Sequence, residues 1–122
     1  ANDNLVQLGE GYFVQLSVPP DGGEWNVTGT PINAPVSLDF QTGFNLIAIP
    51  FSATTYRNSE LAVAINAAAG SQVTAILSWN PSLQAFINWS ASAPAANDNT
   101  VDTQGRSAYF IRTSATVSSF TP

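Results

Sequence analysis

The chain contains no cysteine, histidine, lysine or methionine, and each absence excludes a class of function. Without cysteine and histidine there is no zinc site of the usual kind, no thiol nucleophile and no imidazole base. Three arginines stand against eight acidic residues, so the formal net charge is -5 and no basic patch can neutralise phosphates. This balance argues against nucleic acid and against an anionic membrane surface as partners.

Long apolar runs are also missing, so we expect no membrane insertion. Charged residues make up 9% of the 122 residues, far below the usual quarter, while hydrophobic residues make up an ordinary 44%. Solubility must therefore come from Asn, Gln, Ser and Thr, a composition that favours an extracellular or cell-surface location. Two acceptor triplets begin at Asn26 and Asn88, which we take as candidate glycosylation sites of a secreted chain.

Apolar and polar residues alternate through most of the chain, which is typical of half-buried β-strands. The pattern predicts strands over 12–18, 24–30, 36–40, 44–51, 73–79, 85–90, 107–113 and 115–121. Proline and glycine separate several of these runs and indicate turns. The run 44–51 is apolar on both faces, so we expect it to be the most central strand and Pro50 to mark its end.

One helix is predicted over about 58–69. Apolar residues recur there with helical spacing, and Glu60 lies where the helix dipole favours a carboxylate. Asn58 or Thr55 can cap its start, and Gly70 is placed to end it. We therefore expect a single, mainly β domain over 1–122. It is an antiparallel sandwich-like or partly open barrel-like fold of seven or eight strands with one short helix.

The tetrapeptide Ala-Asn-Asp-Asn occurs at residues 1–4 and again at 96–99, an offset of about 95. Tyr-Phe-aliphatic follows each copy at nearly the same distance, so residues 1–17 are interpreted as a copy of 96–114. Three arrangements remain open: successive modules of an array, two strands of one domain, or a strand donated to a neighbouring molecule. The predicted assembly strands carry Tyr12, Phe13, Val14, Leu16, Tyr109, Phe110 and Ile111.

Two segments carry a resemblance to known proteins: Gly-Glu-Gly-Tyr-Phe-Val over 9–14 and Gly-Phe-Asn-Leu-Ile-Ala-Ile-Pro over 43–50. They resemble the signature strands of repeat modules in large secreted bacterial and archaeal surface proteins. The order of strand, short helix and Tyr-Phe strand is similar over about 70 residues. Residues 106–108 depart from the pattern, because glycines would be expected there. The resemblance implies an extracellular, multi-copy setting and implies no activity.

Side chains that could carry chemistry are few. Trp25, Trp79 and Trp89 could stack on sugar rings, or pack within the core. The Asn-Asp-Asn segments and Asp102 supply oxygens of the type that Ca²⁺ prefers, yet no calcium loop is present, and turns held by these side chains are the simpler interpretation. No spacing selects a catalytic pair of carboxylates. We therefore expect no catalytic residues, no metal and no cofactor.

The sequence thus predicts a non-enzymatic extracellular structural module of the surface-layer, adhesin or filament type. Such a module would assemble head to tail with copies of itself through strand edges. The alternative hypothesis is a carbohydrate-binding module of a secreted protein, with a polysaccharide as partner.

Overall fold

A computed structural model describes residues 7–12, 14, 29–70 and 72–122 of the chain. The strands are β1 (Leu38–Phe40), β2 (Gly43–Ala48), β3 (Val73–Asn80), β4 (Ala85–Trp89), β5 (Ala108–Thr113) and β6 (Val117–Phe120). One helix, α1 (Asn58–Ala69), lies between β2 and β3 in the chain, and a short 3-10 helix (Ala95–Asn97) follows β4.

The strands form two antiparallel sheets. The larger sheet has the order β2-β5-β3-β4, and the smaller one pairs β1 with β6. Strand β5 therefore inserts between β2 and β3, with Ile111 opposite Asn45 on one side and opposite Ile76 on the other. Because side chains alternate across a strand, this register sends Ile76 and Ile111 to one face of the sheet together.

The core lies between the inner face of the larger sheet, the helix and the smaller sheet. Helix α1 packs against β6 and β3. Fully buried side chains come from every layer and form one connected apolar cluster; among them are Phe40, Ile49, Leu61, Ile65, Ile76, Ile111 and Val117. The aromatic rings of Phe40 and Phe120 close the smaller sheet, with centroids 6.2 Å apart.

Helix α1 begins and ends where the sequence predicts. Gly70 adopts a left-handed conformation with φ of 62° and donates its N–H to the carbonyl of Asn66 at 3.0 Å, which ends the helix. At the start, the flanking residue is Arg57, and the Glu60 carboxylate accepts its N–H at 2.8 Å. Neither predicted cap, Asn58 or Thr55, fills that position. Asn58 instead lies on the buried face of the first turn.

The predicted fold class is confirmed: the protein is mainly β, with antiparallel sheets in a sandwich-like arrangement, one helix and, among the described residues, no closed barrel. Six of the predicted strands are present. The two predicted over 12–18 and 24–30 fall almost entirely outside the described residues. The prediction that 44–51 is the central strand is wrong, because β5 and β3 occupy the middle of the sheet. Strand β2 also ends at Ala48, two residues before Pro50.

Candidate functional site: an aromatic groove beside a strand edge

The outer face of the larger sheet carries a row of aromatic side chains, which we call the aromatic face. Phe44 of β2, Phe110 of β5, Phe86 of β4 and Trp79 of β3 point away from the core. Consecutive ring centroids lie 6.3, 5.8 and 5.1 Å apart, in edge-to-face or steeply tilted arrangements. Three of these rings stay largely open to solvent, with Phe44 57%, Trp79 44% and Phe86 42% exposed. Exposed aromatic clusters of this kind mark binding surfaces more often than isolated apolar residues do.

Three of these four rings, those of Trp79, Phe86 and Phe110, line a groove of about 750 Å³, within the size range of small-ligand sites. We call it the aromatic groove. Its lining combines aromatic and apolar side chains with a few polar ones; the lining residues are Tyr12, Leu46, Ser78, Trp79, Pro81, Phe86, Arg106, Ser107, Ala108, Tyr109 and Phe110. No carboxylate of the described residues lines it.

Residues 7–12, which we call the edge segment, border the groove along β2. The N–H of Gly11 donates to the carbonyl of Leu46 at 3.1 Å, and the N–H of Ala48 donates to the carbonyl of Gly9 at 3.0 Å. Glu10 therefore lies opposite Ile47 as a non-hydrogen-bonded antiparallel pair. In the described part of the chain, this segment is all that covers the side of β2 facing away from β5.

Glycine lets the edge segment approach the sheet closely. A Cβ atom on Gly11 would lie 2.5 Å from the Cβ of Ala108 and 2.7 Å from the Cγ of Leu46. At the next residue, the phenol of Tyr12 donates to the carboxylate of Glu10 at 2.8 Å and accepts the N–H of Gln7 at 2.9 Å. These contacts fix the Tyr12 ring at the wall of the groove.

Arg106 and Ser107 of the groove lining belong to a loop that Asp102 organises. The Asp102 carboxylate accepts three backbone N–H groups, from Gln104 at 3.1 Å, Arg106 at 2.5 Å and Ser107 at 2.8 Å. The N–H of Asp102 donates in turn to the Tyr109 hydroxyl at 2.7 Å. Burial raises the pKa of Tyr109 above its usual value, so the phenol stays neutral at pH 7. The loop thus holds Arg106 beside the aromatic walls.

The second Ala-Asn-Asp-Asn copy packs against the start of α1. The Asp98 carboxylate accepts both the N–H and the hydroxyl of Ser59, at 2.8 and 2.7 Å. These bonds lower the pKa of Asp98, with a further contribution from the nearby charge of Arg57. The carbonyls of Asn97 and Asn99 accept the side-chain and backbone N–H groups of Asn58. The segment is therefore a helix cap, and its first copy, residues 1–4, lies outside the described residues.

The edge segment and β5, which carry the tyrosines of the two Tyr-Phe motifs, flank β2. Ile47 faces Glu10 of the edge segment on one side and Tyr109 of β5 on the other. Both neighbours are antiparallel to β2, so they run parallel to each other. In the structure Glu10 is level with Tyr109, because both face Ile47. The sequence alignment instead matches Tyr12 with Tyr109, a difference of two residues, which is one repeat of a pleated strand.

The predicted assembly residues divide into different environments. Tyr12 and Val14 are 42% and 56% exposed, whereas Phe13 and Leu16 lie outside the described residues. Tyr109 and Ile111 are buried, and β5 is hydrogen-bonded on both sides by β2 and β3. Strand β5 therefore has no edge to offer another molecule, which corrects its prediction as an assembly strand. The Phe110 side chain lies on the aromatic face, in contact with the rings of Phe44 and Phe86.

The three tryptophans predicted for sugar stacking also separate. Trp79 lies in the aromatic groove, whereas Trp89 is 8% exposed and packs in the core opposite Ile76, so it cannot reach a ligand. Trp25 lies outside the described residues, as does the acceptor Asn26. Asn88 is exposed on β4, where a glycan could be attached. Phe86 and Arg106, which the sequence analysis did not select, complete the groove.

The carboxylates among the described residues serve structural roles. Glu60 and Asp98 bind the start of α1, Asp102 organises its loop, and Asp39 accepts the N–H of Ser119 at 2.7 Å. Within the described ranges no group of three or more acidic side chains is placed to hold a metal ion. The Asx-type interpretation therefore describes Asp98 and Asp102 better than a calcium loop does.

Comparisons of the chain with protein-family models, with curated proteins and with solved structures found no match. In the part of the chain that the structure describes, the helix is too short to cross a membrane.

Proposed function

We propose that the protein is an extracellular structural module that associates with copies of itself through β-strand edges, and that it catalyses no reaction. The observation that carries this proposal is the edge of β2. Among the described residues, two main-chain hydrogen bonds join the edge segment to this strand. A partner strand supplying a longer ladder would bind the same edge by β-augmentation.

The edge segment itself favours exchange between molecules. Its apolar side chains gain little by staying where they are, because Leu8 is 63% exposed and Val14, just beyond it, 56% exposed. Charged residues make up only 9% of the chain, so few like charges meet when copies pack side by side. The charged side chains that normally protect sheet edges are scarce throughout the chain. Where one copy's segment lies on the next copy's β2 and the rotation between copies does not close a ring, the contact extends into a filament.

A test follows from the pairing of Glu10 with Ile47. The Cα atoms of a non-hydrogen-bonded antiparallel pair lie about 4.5 Å apart, which a disulfide can span. The chain has no native cysteine, so single Glu10→Cys and Ile47→Cys proteins each carry one thiol. Mixed under mild oxidation, they should form a mixed disulfide dimer, seen on a non-reducing gel. The reaction requires the segment of one copy to reach the buried Ile47 position of another.

In the matched control, Val63→Cys takes the place of Glu10→Cys. Val63 lies on α1, and its side chain is 68% exposed. It collides freely with other copies yet has no route to position 47. Equal yields in the two mixtures would contradict pairing between molecules at this edge. Light scattering over a concentration series reports separately whether any assembly occurs.

A second candidate function is carbohydrate binding, and one observation favours it. Trp79 and Tyr12 line the same aromatic groove, and each keeps more than two fifths of its surface exposed. Flat aromatic rings bind the apolar faces of sugars and lose little conformational entropy in doing so. Retardation of the protein in gels containing a polysaccharide, and its loss in Trp79→Ala, tests this function. Val63→Ala is the control, because it removes an exposed apolar side chain outside the groove.

A further inference from the structure

We propose that the aromatic groove binds an acidic sugar unit of a polysaccharide, with the ring stacked on Trp79 and its carboxylate held by Arg106. This proposal rests on the second candidate function, carbohydrate binding, and specifies the class of sugar. It combines the lining of the groove with the way in which the Asp102 loop presents the guanidinium.

Arg106 is placed by a rigid loop. Its own N–H and that of Ser107 are bonded to the Asp102 carboxylate, so the backbone that carries the guanidinium is fixed. The neighbouring Gly105 donates its N–H to the carbonyl of Ile49 at 2.8 Å, which ties the loop to the end of β2. Gly105 has φ of 70° and lies close to the backbone of Pro50, so the turn suits glycine. A preformed loop lowers the entropy cost of ligand binding.

The guanidinium of Arg106 forms no ion pair with a carboxylate of the described residues. The acidic side chain nearest in sequence, Asp102, instead accepts three backbone N–H groups of the loop. Among the described residues, the lining of the groove consequently contains one cation and no anion. An anion that enters it gains a charge-assisted hydrogen bond, which is stronger than a neutral one and bidentate when the partner is a carboxylate.

The rest of the lining determines what carries that carboxylate. The ring centroids of Trp79 and Phe86 lie 5.1 Å apart, and Tyr12 also lines the groove. A pyranose ring with a carboxyl group offers both an apolar face for these rings and an acceptor for Arg106. A small inorganic anion would leave the aromatic walls in water. The formal net charge of -5 opposes a polyanion at long range, so binding depends on this local cation.

The experiment uses affinity electrophoresis of the full chain in gels containing polygalacturonate, alginate or hyaluronan, each at low and high salt. Methyl-esterified polygalacturonate is the matched ligand control, because it keeps the sugar ring and removes the charge. The variants are Trp79→Ala, Arg106→Ala and Arg106→Lys. Arg112→Ala is the protein control, because it makes the same charge change outside the groove, where Arg112 lies 5.6 Å from the Phe44 ring centroid.

We expect at least one polyuronate to retard the wild-type protein and its esterified form to do so less. Loss of a charge-assisted bond should weaken binding roughly tenfold or more in Arg106→Ala, with partial recovery in Arg106→Lys. Trp79→Ala should abolish retardation, and Arg112→Ala should change it less than about twofold. Thermal unfolding confirms that each variant is folded.

Two outcomes overturn the proposal, and they differ in what else they overturn. If esterified and free polymers retard the protein equally and Arg106→Ala binds like wild type, the acidic specificity is wrong and carbohydrate binding stands. If none of the polymers retards the protein, the acidic-sugar site is wrong. Absence of retardation by neutral polysaccharides as well then removes the second candidate function.

Discussion

Replacing Gly11 with valine tests the link between the edge segment and the sheet. Gly11 has no unusual backbone conformation, so the substitution acts through space alone. Its new Cβ would lie 2.5 Å from the Cβ of Ala108 and 2.7 Å from the Cγ of Leu46, far inside van der Waals contact. Both neighbours sit on paired strands that cannot retreat. The edge segment must therefore move away from β2.

The magnitude follows from the two hydrogen bonds that join the segment to β2. Each such bond contributes about 0.5–1.5 kcal/mol, so complete separation removes about 1–3 kcal/mol of local stability. For an amide that exchanges through local opening, this corresponds to a roughly 5- to 150-fold loss of protection. The amide of Ala48 is the reporter, since it donates to the carbonyl of Gly9. The amide of Ile111, in the middle of the sheet, should keep its protection.

Hydrogen exchange measured by NMR on wild type and Gly11→Val gives both values in one experiment. Gly29→Val is the matched control, because no atom of the described residues lies within 4 Å of a Cβ built at that position. Unchanged protection of Ala48 in Gly11→Val would refute the reasoning. If segments pair between copies, the same variant should also lower the yield of the mixed disulfide.

The remaining predictions concern stability. The pKa of Asp98 is lower in the folded protein than in the unfolded chain, where it is about 3.9. The ionised carboxylate therefore stabilises the fold above about pH 3.9, and this stabilisation is lost as the pH falls through the pKa of the folded protein. Asp98→Asn should therefore show a smaller fall in melting temperature than wild type between pH 6 and pH 2; an equal fall would contradict the Ser59 contact as the cause. Ile76→Ala empties a fully buried position between β4 and β5 and should lower the free energy of unfolding by about 2–5 kcal/mol, measured by urea denaturation. A loss below 1 kcal/mol would mean that this part of the core repacks.

Local structure could be predicted from the sequence where the hydrophobic periodicity agrees with the positions of glycine and proline. The helix over 58–69 has the predicted bounds, because its apolar spacing and Gly70 act within a few residues of each other. Strands β3, β4 and β5 lie within a residue or two of their predicted ranges. Alternation of apolar and polar side chains fixes which residues form a strand and which of its faces is buried.

Strand order could not be predicted in the same way. The apolar residues on both faces of 44–51 suggested a central strand, yet the outward residues Phe44 and Leu46 belong to an exposed aromatic face. An apolar residue on a strand is compatible with a core or with a binding surface, and periodicity does not separate the two.

The candidate site was only partly predictable for a related reason. Trp79 was selected for its residue type, but its neighbours Tyr12 and Arg106 come from distant parts of the chain. Likewise, Asp98 caps a helix that begins 40 residues earlier, through contacts that no local motif specifies. The fold alone brings these groups together.

The position of β5 has a consequence for synthesis and truncation. Strands β2, β3 and β4 leave the ribosome before β5, but β2 and β3 have no hydrogen bonds to each other in the finished sheet. Until residues 108–113 emerge, the edges of β2 and β3 that later pair with β5 have no hydrogen-bonding partner. A nascent chain, or one cut before residue 108, therefore exposes two unpaired strand edges, and such edges are templates for aggregation. Premature termination should thus yield insoluble protein rather than a smaller folded domain.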